Sequence, residues 1–232
     1  MALQVQTKTE PRHHIDDDLL LDYASGATDE AQALLVSTHL AYCSVCRRRL
    51  AEIEAIGGAM LEEIAPEPVS GLDFDALLDR IDAMDGASPE ASGSAGRASA
   101  ALWDGPDWVP APLRPYVDGT TLDRWKSVTR GIDEIELPVS GRLGRAKLLR
   151  IRAGTRVPQH THKGRELTLV MQGAFVDADV TYGPGDVATE DHEIDHRPMA
   201  GADDDCICLV VLDAPLRLTG PIGRFLNPFM RF

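Results

Sequence analysis

The chain is short of positive charge, of cysteine and of long apolar runs, and each shortage excludes a class of protein. Its 232 residues hold 23 Lys and Arg against 37 Asp and Glu, a formal net charge of −14. A surface that acidic repels phosphate backbones, so direct binding of DNA or RNA is not expected, whereas a basic protein partner suits it. No apolar stretch approaches the roughly 20 residues needed to cross a bilayer, so no membrane attachment is expected. Residues 1–10 lack the basic and then apolar pattern of a secretory signal. Four cysteines in two close pairs do not make a disulfide framework. Cytoplasm is the expected compartment. What remains, 44% hydrophobic and 26% charged, is the composition of a soluble globular protein.

The first cysteine pair closes the segment Thr38-His39-Leu40-Ala41-Tyr42-Cys43-Ser44-Val45-Cys46, an H-x3-C-x2-C pattern. Inside a helix these offsets are i, i+4 and i+7, which stack on one face. An imidazole and two thiols then converge, and a closed tetrahedral zinc site needs one more N or S ligand. His13 and His14, just before the run Ile15-Asp16-Asp17-Asp18-Leu19-Leu20-Leu21, offer it from the preceding helix.

Periodicity predicts four helices in residues 1–85. The first runs from Ile15 to Ala24 and is closed by Ser25-Gly26. The second is capped by Thr28, with Asp29 and Glu30 favouring its N-terminal dipole, and runs through His39 toward the cysteines. The third begins near Arg47 and runs to Gly57-Gly58 or slightly beyond, before Pro66 and Pro68 break the pattern. Ser70 caps the fourth, where Phe74, Leu77, Leu78 and Ile81 form an apolar stripe on a helix that also carries Asp73, Asp75, Asp79 and Asp82. Such a stripe either packs on its own domain or anchors a partner.

Residues 86–102 change to Gly, Ala, Ser and Pro, with too little apolar surface to offset ordering, and read as a flexible linker. From 103 to 232 the period shifts to two. Ala146 to Ile151, Leu167 to Met171 and the apolar run Ile207 to Leu212 are strand-like, separated by glycine-containing turns. Short strands at this spacing predict an all-β barrel or double-sheet jelly roll, and hence an α plus all-β, two-domain protein.

Between those strands lies Gly154-x5-His160-x-His162-x3-Glu166-x6-Gly173. His160 and His162 share a strand face, and Glu166 returns on the next strand. His196 follows the turn Tyr182-Gly183-Pro184-Gly185, with His192 as the alternative. Imidazoles and a carboxylate in a small barrel form a mixed N/O site whose metal ligand type alone does not choose. Cys206 and Cys208 share a face of a later strand, where they serve either as small buried hydrophobes or as a redox pair.

The stretch from Gly154 to Gly173 resembles the first motif of the cupin family, and Pro184-Gly185-Asp186 followed by His196 resembles the second. Arg197-Pro198 stands where that motif usually has an Asn. The resemblance implies the ligands His160, His162, Glu166 and His196 for a second divalent metal, zinc ahead of iron, manganese or nickel. The helical half resembles the zinc-binding anti-sigma domain. Both halves in this order, with Cys206-Ile207-Cys208 and Asp213-Ala214-Pro215-Leu216-Arg217 behind them, resemble the ChrR-type anti-sigma factors. That likeness implies zinc on His14, His39, Cys43 and Cys46, and an extracytoplasmic-function sigma factor as partner. It also implies a cupin domain that senses singlet oxygen or related oxidants, with no catalytic turnover. The competing expectations are a metal-dependent cupin enzyme, a dioxygenase or isomerase with an N-terminal zinc docking domain, and a zinc protein in which Cys43 and Cys46 are themselves the redox sensor.

Overall fold

The computed structural model describes residues 10–67, 71, 73–85, 103–140, 144–191, 194–214 and 216–219. The expected linker 86–102, the expected cap Ser70 and the alternative ligand His192 lie outside the described residues. By their contacts the residues divide into two units, 1–55 together with 105–232, and 56–104. These units cut the chain at points other than the expected 1–85, 86–102 and 103–232. The physical reason is that the second helix packs directly on the β-sheet and the first packs on the second.

Helix α1 (Asp17–Ala24) ends at Ser25 and Gly26, whose φ of +73° is the left-handed stop that glycine adopts without strain. Helix α2 (Glu30–Leu40) is capped by Asp29, not Thr28: the Asp29 carboxylate accepts the Gln32 N–H at 2.9 Å. A charged acceptor also serves the helix dipole, which the Thr hydroxyl does not. Helix α3 (Ser44–Glu62) starts three residues before the expected Arg47. Its first amide and hydroxyl, both on Ser44, donate to the Glu10 carboxylate at 2.7 and 2.6 Å, so the cap comes from a distant residue. Gly57 and Gly58 are absorbed within α3 at a cost of about 1 kcal/mol each.

Twelve strands form among the described residues: β1 (Lys126–Thr129), β2 (Ile132–Glu136), β3 (Arg145–Ile151), β4 (His160–His162), β5 (Glu166–Gln172), β6 (Phe175–Asp177), β7 (Val180–Tyr182), β8 (Val187–Glu190), β9 (Asp195–His196), β10 (Met199–Ala200), β11 (Cys206–Leu212) and β12 (Leu216–Leu218). The largest sheet has the order β1-β2-β3-β11-β5-β8, and two smaller sheets have the orders β10-β6-β7 and β12-β4-β9. All pairings are antiparallel, as in the expected double-sheet barrel.

Strand β11 is buried on both faces, which explains its unbroken apolar run. Cys206, Cys208, Val210 and Leu212 join a core with Ile132, Val170, Phe175 and Ala188. The alternate residues Ile207, Leu209 and Val211 point the other way. Helix α2 packs against β11, β5 and the 3-10 turn Ala111–Tyr116 and covers that face. It also packs on α1, so Ala31, Leu34, Leu35, Val36, Thr38 and His39 are all buried. Polar contacts fasten the same junction: the Glu30 carboxylate accepts the Tyr116 hydroxyl and the Ser140 amide and hydroxyl.

In the smaller unit, Asp73 caps α4 (Phe74–Asp85) by accepting the N–H groups of Asp75 and Ala76. Its stripe is exposed, from 69% at Phe74 to 37% at Leu77, with Leu78 and Ile81 between. Ile56, Met60 and Leu61 on the end of α3 are exposed as well.

Candidate metal centres

The H-x3-C-x2-C segment does not sit in one helix. His39 is the penultimate residue of α2, Cys43 lies in the junction, and Cys46 is in the first turn of α3. The junction keeps a helical hydrogen bond from the Cys43 N–H to the His39 carbonyl, 3.0 Å, so the stacking inferred for a continuous helix survives the break. The Cys46 N–H turns back onto Cys43 Sγ at 3.3 Å.

His14 precedes α1 and closes the group. Its Nδ1 lies 3.3 Å from Cys43 Sγ and 3.7 Å from Cys46 Sγ. One ligand atom from each of His14, His39, Cys43 and Cys46 falls within 4.8 Å of the others. A tetrahedral zinc ion has S···N edges of roughly 3.6 Å. His39 is fully buried, and its Nε2 has no hydrogen-bond partner, whereas its Nδ1 lies 2.8 Å from the Gly185 carbonyl. A buried ring with one nitrogen held by a carbonyl and the other unpartnered is poised as a ligand. Burial holds the His39 pKa down to about 4, which keeps the imidazole neutral, and raises the Cys46 thiol to about 11, an effect that a bound cation reverses. The donor set therefore fits a thiophilic ion.

The second group is built on strand register. His160 and His162 sit two apart on β4, so their side chains share a face. His196 on β9 pairs directly with His160. Its Nε2 lies 3.1 Å from His162 Nε2 and 3.2 Å from His160 Nε2. Nitrogens bound to one ion at 2.0–2.1 Å are separated by roughly 3.0 to 3.4 Å. Glu166 opens β5, with a carboxylate oxygen 3.3 Å from His162 Nδ1. The four residues, each at least nine-tenths buried, bring their ligand atoms within 4.8 Å of one another.

Burial dominates the electrostatics of this site. It lowers His160 and His162 to about 4, with the neighbouring imidazoles adding to the effect, and raises Glu166 to about 7. Two imidazoles kept neutral by burial, with the His196 ring and a buried carboxyl beside them, are a receptive cage for a divalent cation, and the donors fit such an ion. The Nδ1 of His160 faces the Pro158 carbonyl at 2.8 Å, and that of His196 faces the Asp177 carboxylate at 2.5 Å, so each ring is oriented from behind.

Asp177, on β6, and Glu190, on β8 opposite Glu166, form a third group with His196 that the sequence reading missed. Nothing in the spacing points to Asp177, which reaches His196 only through the meeting of two sheets. Cys206 and Cys208 hold their sulfurs 3.4 Å apart inside the core as free thiols. The hydrogen bond that Cys208 shares with Cys206, together with burial, raises its pKa.

Comparison with known proteins brings in the rest of the chain. Residues 116–215 match the family model described as the ChrR cupin-like domain. The anti-sigma-E factor ChrR of Cereibacter sphaeroides is 39% identical over 221 residues, which cover 95% of this chain and 98% of that protein. A crystal structure of Rhodobacter sphaeroides SigE in complex with the anti-sigma ChrR matches with a TM-score of 0.73 and 38% identity, covering 88% of this chain and 100% of the matched one. Among the described residues, no helix is long and apolar enough to cross a membrane.

Proposed function

This chain belongs to the ChrR family of anti-sigma factors, and from that premise we propose that it holds an extracytoplasmic-function sigma factor silent in the cytoplasm and releases it under oxidative stress, singlet oxygen included, registered in the barrel. The observation that carries the sequestration is the identity itself, which runs across both halves of the chain rather than through the barrel alone.

The exposed stripe of α4 supports it. A helix of 12 residues is marginal alone in water, and four apolar side chains on its surface gain stability only when covered. Asp75, Asp79 and Asp82 flank them, a charge arrangement suited to the basic surface of a DNA-binding partner.

We assign zinc to His14, His39, Cys43 and Cys46, because two thiols and two imidazoles form a closed structural set. Such an ion staples together the segment before α1, the end of α2 and the start of α3. His160, His162, Glu166 and His196 take a second divalent ion, zinc ahead of iron, manganese or nickel. Because these ligands stand on β4, β5 and β9, oxidation of one ligand would loosen three strands at once.

The test uses the full chain co-expressed with its cognate sigma factor. Leu78→Asp should abolish co-purification while leaving metal content and helicity unchanged. Undiminished binding by that variant, with both metals in place, would remove α4 from the contact.

A further inference from the structure

We propose that the barrel turn Gly183-Pro184-Gly185-Asp186 holds the two histidines of the Cys2His2 group in place, making Gly185 and Asp186 positioning residues through which the barrel acts on the helices. This rests on the assignment of His14, His39, Cys43 and Cys46 as metal ligands.

The turn joins β7 to β8 and meets the helical segments at two points. At the first, the Gly185 carbonyl lies 2.8 Å from His39 Nδ1. With His39 Nε2 buried and unpartnered, this contact makes Nδ1 the protonated nitrogen and leaves Nε2 as the ligand atom. At the second, one Asp186 oxygen accepts the N–H groups of Arg12 and His13 at 2.6 and 2.9 Å, and the Val187 N–H donates to the His13 carbonyl at 3.2 Å. Arg12 and His13, immediately before His14, are therefore tied to the barrel at this turn. Asp186 is only 4% exposed, and its other oxygen accepts the Gly183 N–H at 2.8 Å, so the carboxylate is locked on both sides.

Gly185 is required by both backbone and space. Its φ is +92°, and a Cβ there would lie 2.7 Å from Pro11 Cγ and 2.9 Å from Tyr42 Cβ. Pro11 leads into His14, and Tyr42 precedes Cys43, so the helical segments that carry the ligands close directly over this glycine.

On its other side the turn is fixed to β5. The Gly185 N–H donates to the Val170 carbonyl at 2.8 Å, and the Val170 N–H donates to the Asp186 carbonyl at 3.0 Å. Glu166 begins that same strand, and β8, which leaves the turn, carries Glu190 opposite it. The paired strands β5 and β8, the turn fixed to Val170, the His39 Nδ1 contact to the Gly185 carbonyl and the Asp186 contacts to the Arg12 and His13 amides thus connect the barrel's His3Glu group to His39 and to the residue just before His14. That is a physical route by which two sites couple.

Cobalt substituted into the full-length chain tests this. Only the helical group has sulfur ligands, so the thiolate-to-cobalt absorption band reports that site alone. Gly185→Ala and Asp186→Ala should shift the band and speed cobalt release to a chelator by roughly ten- to a hundredfold, the usual effect of losing a ligand's supporting partner. Asp186→Asn, which keeps an oxygen for the Arg12 and His13 amides, should recover most of the loss. The barrel should retain its metal in all three. Release at the wild-type rate in both alanine variants overturns the inference, as does acceleration matched by loss of the barrel metal, since the turn would then serve the barrel only. Absence of the thiolate band from the wild-type chain would instead remove the ligand assignment, and the inference with it.

Discussion

Burial disfavours the ionised form of Glu166, and replacing it by Gln should improve the metal-free protein while disabling the loaded one. Its carboxyl is buried between β8 and β11, accepts one hydrogen bond from the Thr168 hydroxyl at 3.1 Å, and faces Glu190. Burial, with the Glu190 carboxylate adding to it and the Thr168 hydrogen bond opposing it, raises its pKa from 4.5 to about 7. Below pH 4.5 the group is protonated in both the folded and unfolded chain and contributes no difference. As the pH rises from 4.5 to 7 the unfolded chain loses the proton and the folded chain keeps it, so folding stability falls by about 1.4 kcal/mol per pH unit. The shift of 7 − 4.5 = 2.5 units corresponds to about 3 kcal/mol in all. Gln preserves the volume and the Thr168 contact and removes the titration. Urea melts of metal-stripped protein between pH 4.5 and 8 should therefore start together and diverge, the Glu166→Gln variant ending about 3 kcal/mol more stable above pH 7. Adding divalent metal at pH 8 should restore the wild type and leave the variant unmoved. Parallel stability curves across that range would refute the buried-carboxyl argument, and equal metal binding by both proteins would strike Glu166 from the ligand set.

Three further outcomes follow from the geometry. Cys43→Ser should lose one equivalent of zinc and open the amides of α1, α2 and the start of α3 to hydrogen exchange, because structural zinc is bound only by the folded arrangement; full zinc content would refute the assignment. His162→Ala should leave the sigma factor bound and reporter transcription silent even under oxidant, whereas normal induction would show that the barrel site is not the receiver. Cys206 and Cys208, buried, hydrogen-bonded and with the Cys208 pKa raised, should resist alkylation in the native chain and react within minutes in urea; rapid native labelling would reopen the redox-pair reading.

The parts legible in the sequence were those governed by local period. The strands β3, β5 and β11 lie within a residue or so of their expected limits because short runs of strand-forming apolar residues, alternating in β3 and nearly continuous in β5 and β11, are bounded by turn residues. His160 and His162 share a face because β-strand geometry leaves no other choice. What escaped depends on residues far apart in the chain. Glu10 caps α3, so its start at Ser44 could not be read from residues 40–50. Asp29 displaced Thr28 as the cap because an ionised acceptor outcompetes a hydroxyl at a helix N-terminus. The packing of α2 on β11 escaped too, although a signal was present. Apolar residues right round α2 call for cover on more than one side, and an unbroken apolar run in an antiparallel strand calls for cover on both faces. Each element supplies the cover that the other lacks.

That packing also limits how a signal from the barrel could release a partner. Driving a sigma factor from 99% bound to 99% free requires about 5.5 kcal/mol of bias. The His39–Gly185 hydrogen bond contributes on the order of 0.5–1.5 kcal/mol, and coupling between sites typically reaches 1–3 kcal/mol. A shift of the turn alone therefore falls short. Zinc in a small structural site contributes on the order of 10–16 kcal/mol to the folded state, well above the requirement. A barrel that loosened its hold on His39 and on Arg12 and His13 could reach the necessary bias by making the Cys2His2 group release its ion, not by straining the helices around an intact one. If the barrel receives the oxidant as proposed, the expected order is perturbation of the His3Glu group, movement of Gly185 and Asp186, loss of the thiolate-bound metal, then dissociation of the partner. Stopped-flow chelator kinetics on the complex should find metal release no slower than partner release. Dissociation that precedes metal loss would show that the barrel acts on the partner directly.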